Sequence, residues 1–200
     1  SQEHIKSLGF NDVIEIAGPR ALQIIECELT DDWKKEGYLQ KQRDDLKKRY
    51  RGINKQEAWK SRETVLPNHL YPDIWVTNKA TNQIDKLPHD KPWILWISFV
   101  GPHEPFDTPR PWRGSTTEKE IPKVIKKREW IEKLDKNCEL RIINDKWKDK
   151  ITKEQAIDFR KDYADHLKLL DKQVEIIIDK LEQRSDFDKT AITIMSDHGE

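Results

Sequence analysis

Two short stretches of this chain gather side chains suited to acid–base or metal chemistry: Gly101-Pro102-His103-Glu104-Pro105 and Ser196-Asp197-His198-Gly199-Glu200. In the first, His103 is a candidate donor to an anionic ester oxygen or to a leaving group. The plainer role for a histidine after Gly-Pro is a bond to a nearby carbonyl. In the second, Asp197 and His198 would oppose each other on an extended strand and could converge on one ion only at a turn. A carboxylate suits Ca²⁺ or Mg²⁺, and an imidazole fills one position or leans toward Zn²⁺ or Mn²⁺. Two ligands do not complete the ~6–8 oxygens around a hard cation, so other carboxylates must join them. The plainer role of Asp197 is a turn or cap residue. Gly101 and Gly199 would let the backbone turn sharply beside a ligand. Glu104 is expected to be structural or solvated. His4, His69, His89 and His166 show no ligand spacing, and His166 is expected on an exposed helix flank.

Both stretches follow apolar runs. Residues 93–100 (WILWISFV) are nearly all apolar and too short for a typical buried helix, so a central strand covered on both faces is predicted. Residues 190–195 (TAITIM) predict a second buried strand. Between them, Thr152 and Gln155 form an S/T-x-x-E/Q capping box. Behind it Ala156, Phe159, Tyr163, Leu167, Leu170, Val174, Ile177 and Leu181 recur at steps of three and four, the stripe of a helix packed on a sheet. A helix followed by a buried strand is half of a βαβ crossover. The fold class expected is therefore α/β, a mixed, largely parallel sheet flanked by helices. Ligands gather outside the carboxyl ends of such strands, where His103, Asp197 and His198 would stand.

Elsewhere, Thr30-Asp31-Asp32 reads as a helix N-terminus leading a charged helix through Tyr50, and Asp73 as the cap of a helix with Ile74, Thr77, Thr81, Ile84 and Leu87 inward. Leu8 to Ile16 reads as a short strand or ordered loop. Residues 116–150, dense in Lys and Glu, are expected to be helical and exposed.

Lys and Arg number 37 and Asp and Glu 37, so no net field favours nucleic acid or an anionic membrane. No apolar run approaches the ~20 residues of a membrane span. Cys27 and Cys138 belong to no C-x-x-C pair; one disulfide between them is open, and plain thiols are the simpler expectation. The opening Ser-Gln-Glu-His and the stop at Glu200 are expected of an excerpt from a longer protein.

The residues 101–106 (GPHEPF) resemble the strand-end PH-x-P segment of sulfatases, members of the alkaline phosphatase superfamily. Tyr163, Leu170-Asp171 and residues 196–200 (SDHGE) resemble the family's late helix, strand and SDHGE motif. Residues 73–92 resemble the helix and KP lead-in to the first of these strands. The resemblance implies that the chain is the middle part of one sulfatase-like catalytic domain, with a variable insert at about 107–150. It implies that Asp197 and His198 ligate a divalent cation, usually calcium, and that His103 contacts the sulfate or the leaving oxygen. The family's nucleophile is a formylglycine made from C/S-x-P-x-R; the residues after Cys27 and Cys138 do not fit, so it is expected in an N-terminal part outside these residues. The partner implied is a small-molecule or glycan sulfate ester, and the excerpt alone is expected to be inactive. A phosphonate monoester or phosphodiester hydrolase on the same scaffold fits the same residues. A non-catalytic module that holds sulfated glycans is a third reading.

Overall fold

The computed structural model describes residues 2–51, 60–123, 129–142 and 151–198. Its helices include α1 (Gln2–Ser7), α2 (Glu28–Lys35), α3 (Leu39–Arg51), α4 (Pro72–Ile84) and α5 (Lys153–Glu182), with 3₁₀ turns at Ala21–Gln23, Asn68–Leu70, Glu129–Lys133 and Phe187–Lys189. The stretch expected as one helix from Thr30 is two. α2 starts at a capping box between Cys27 and Thr30, and the chain breaks at Gly37, whose φ of 79° lies in the left-handed region. The expected loop at 8–16 is present, as are both free thiols.

Two apolar clusters hold these elements. Leu22, Leu29, Trp33, Leu46, Leu66, Leu70 and Trp75 join α2 and α3 to the turn before α4. Trp33 is fully buried and its indole N–H donates to the Leu70 carbonyl at 2.9 Å, so its one polar atom is satisfied. In the second cluster Ala80 and Ile84 of α4 meet Ile177 and Leu181 of α5. Each large side chain there contributes about 1.5–3 kcal/mol on leaving water. Arg184, beyond α5, donates to the carbonyls of Ile84, Leu87 and Pro88 at 3.0, 3.2 and 2.9 Å. A cation thereby meets the negative end of α4 and locks the two helices at their C-terminal ends.

The expected mixed, largely parallel sheet is not found: the described residues contain no β-strand. Among the described residues, 93–100 have no backbone hydrogen-bond partners, and their burial alternates. Trp93, Leu95, Ile97 and Phe99 pack on the α4–α5 cluster, while Ile94 and Trp96 remain 83% and 69% exposed. The segment has the period of a strand but cover on one face only. An almost wholly apolar run reads as covered on both faces, whereas this one is covered on one. Residues 191–198 are exposed throughout, against the expectation of a second buried strand. A strand exists by its pairing, and apolar composition does not supply a partner.

The long helix follows the expectation more closely. Thr152 Oγ1 accepts from the Gln155 amide at 3.2 Å, and the Thr152 amide donates back to Gln155 Oε1 at 2.9 Å. Its buried stripe differs. Asp162, Asp165, His166, Leu169, Gln173, Ile177 and Leu181 are inside, and Leu167 is exposed. The C-terminal half buries apolar residues as expected; the N-terminal half buries charge.

Candidate functional site

That buried charge organises the loop carrying His103. α4 opens with Pro72 at its first position and Asp73 just behind. Asp73 does not serve as the expected cap. Its Oδ1 accepts the amides of Val100 at 2.7 Å and Gly101 at 3.0 Å, and its Oδ2 accepts His166 Nε2–H at 2.8 Å. His166, expected at the surface, is 4% exposed. Burial alone would push its imidazole down, but the Asp73 bond and the charges of Asp73, Asp107 and Asp162 outweigh this, so its pKa is raised. Gly101 lies directly against the pair. A Cβ there would meet His166 Nε2 at 2.2 Å and Asp73 Oδ2 at 2.9 Å.

The far end of the loop is held by the preceding turn of α5. Asp162 accepts Thr108 N at 3.1 Å, Thr108 Oγ1 at 2.6 Å and Ser61 Oγ at 2.6 Å, and pairs with Arg113. Asp165 accepts Gly114 N at 2.7 Å, Ser115 Oγ at 3.0 Å and Thr116 N at 2.8 Å. Residues 162, 165 and 166 stand at i, i+3 and i+4 and so share a face. The sequence signal for this was present: the three polar residues continue the line of Leu169, Gln173, Ile177 and Leu181. It was masked by the rule that buried helix faces are apolar.

His103 stands between these anchors, half-buried. Its Nδ1 lies 2.6 Å from the Glu104 carbonyl and 3.1 Å from Glu104 Oε2. Both partners only accept, so Nδ1 carries the proton and Nε2 is left as the exchangeable position. The plain carbonyl bond is present and engages one ring nitrogen. Glu104 is structural, as expected: it is buried, pairs with Arg20, and its carbonyl accepts Tyr50 O–H at 2.8 Å. Below the loop lies a cavity of about 30 Å³, lined by Asp73, Gly101, His103, Asp107 and His166 among others. It has room for water and not for an ester. Burial raises the Asp107 pKa to about 6; Arg49, 3.7 Å away, opposes that rise and the nearby Asp162 charge adds to it.

Asp197 and His198 are placed differently. Their side chains are 87% and 65% exposed, with 3.6 Å between His198 Nε2 and Asp197 Oδ2, and neither lines that cavity. Asp197 Oδ1 accepts the His198 amide at 2.8 Å, a turn-type contact. Gly199 and Glu200 lie outside the described residues. His103 thus lines one cavity with Asp73 and His166. The donor types at 197 and 198 suit a divalent cation, but no cluster of three or more His, Cys, Asp or Glu able to hold one is present among the described residues. No described helix is long and apolar enough to cross a membrane.

Comparison with known proteins bears directly on these loops. The family model described as Sulfatase matches residues 24–200, a span that includes His103, Asp197 and His198. An arylsulfatase of Clostridium perfringens (strain 13 / Type A) is 26% identical over 150 residues, which is 72% of this chain and 29% of that protein. The chain therefore spans less than a third of the length of that relative. The family match covers most of the sequence and both histidine-bearing loops, and on that ground the chain belongs to the sulfatase family.

Proposed function

We propose that this chain forms part of a sulfuric ester hydrolase in which His103 meets the sulfate group or the leaving oxygen. The observation that carries the reading is the family match running through both loops, at residues 24–200. The His103 ring supports it: with Nδ1 engaged by Glu104, Nε2 can donate to an ester oxygen when protonated and accept a proton when neutral. Sulfatase chemistry would draw charge stabilisation from a bound divalent cation, calcium in the first instance, and its nucleophile from a formylglycine outside these residues. Asp197 and His198 are the proposed protein ligands, joined by carboxylates from elsewhere. The substrate class proposed is a small-molecule or glycan sulfate ester.

The test uses the protein as the cell produces it. Calcium titration by calorimetry should show a site weakened at least ~10-fold in Asp197→Ala. Unchanged calcium binding in that variant removes Asp197 from the ligand set. Activity on an aryl sulfate, with little on a phosphonate monoester or a phosphodiester, supports the sulfate reading. The opposite preference assigns the scaffold to phosphoryl chemistry.

A further inference from the structure

Asp73 occupies the first turn of α4, where an acid ordinarily complements the positive end of its own helix. Its carboxylate is 1% exposed and bonds another segment: two successive amides at 100 and 101 on one oxygen and the His166 ring on the other. A buried carboxylate is costly to desolvate, and these three donors are its compensation. The contact is also tight, since Gly101 has no room for a methyl group against His166. The same helical turn that carries His166 carries Asp162 and Asp165, which hold Thr108 and residues 114–116. One turn of α5 therefore pins the chain on both sides of His103.

We infer that Asp73 and His166 are positioning residues for His103, holding the Val100 and Gly101 amides so that the ring stands at one fixed place. The inference rests on the proposed contact of His103 with the sulfate ester, and it assigns neither residue a contact with substrate. Misplacing a reacting group by about 1 Å can cost ~10²-fold in rate, so a fixed loop has a direct kinetic consequence.

The experiment compares Asp73→Ala, Asp73→Asn, His166→Ala and His103→Ala in the naturally produced protein, below the melting temperature of each. Two quantities are read: amide exchange at 100 and 101, and kcat/KM on an aryl sulfate. Asp73→Ala should speed exchange at both amides and lower kcat/KM by about 10–100-fold. Asp73→Asn keeps an acceptor for the two amides and should recover most of that loss, which general destabilisation would not produce. If Asp73→Ala fails to fold, His166→Ala decides, with faster exchange and a loss of roughly 10-fold expected. Unchanged exchange at 100 and 101 in the folded variant overturns the inference. So does unchanged kcat/KM there when His103→Ala has lost activity. Full activity in His103→Ala would instead sink the functional reading, and the exchange measurement would still judge the positioning by itself.

Discussion

His166 Nε2 donates to Asp73 Oδ2 at 2.8 Å, and this buried contact ties the middle of the long helix to the start of α4. Asp73 passes the connection on to the backbone of Val100 and Gly101, three and two residues before His103. The loop is therefore held through its main-chain amides.

Gly101 should tolerate no larger residue. The added Cβ of Gly101→Ala would stand 2.2 Å from a ring that is itself buried and bonded, so the loop or the helix must shift. A loss of about 1–3 kcal/mol is expected in urea unfolding. The urea midpoint checks it, and an unchanged midpoint would show that the loop can yield.

Asp165→Ala strips the acceptor from Gly114 N, Ser115 Oγ and Thr116 N at once. Thr116 N is the buried donor among them, and leaving it without a partner costs about 1–3 kcal/mol, so a loss in that range is expected. Asp165→Asn retains one acceptor and should lose less. Equal losses in the two variants would place the effect outside these hydrogen bonds.

The pH dependence of stability follows from Asp107 and His166. Asp107 has a folded pKa raised to about 6, chiefly by burial, above its ordinary 3.8. Its folded protonated form is favoured, so its contribution is full below the ordinary value and is lost as pH rises through about 6. A rise of about two pKa units corresponds to roughly 3 kcal/mol across that window. His166 is also raised, and its contribution is likewise present at low pH and lost as pH passes its folded value. Asp107→Asn should flatten the slope of urea midpoint against pH between about 4 and 6. A slope as steep as that of the unmodified protein would exclude Asp107 as its source.

Much of this was legible in the residues. The capping box at Thr152 and Gln155 fixes where α5 begins, because it satisfies two helix-end donors with local side chains. The amphipathic pattern behind Asp73 locates α4. Local rules fail where the partner is distant in the chain. Asp73 and His166 are 93 positions apart, and neither spacing nor propensity hints at their pairing. Composition points to a strand at 93–100 covered on both faces, yet burial on one face and cover on both give the same apolar letters when the outward positions are Ile94 and Trp96. The stripe on α5 shifted because Asp162, Asp165 and His166 are buried as anchors for other segments.

The most direct test of a sulfate ester hydrolase with His103 at its centre is sulfate release from an aryl sulfate by the naturally produced protein, compared with His103→Ala. In His103→Ala kcat/KM should fall by at least ~10²-fold with an unchanged urea midpoint. Sulfate released at the same rate by both proteins would contradict it.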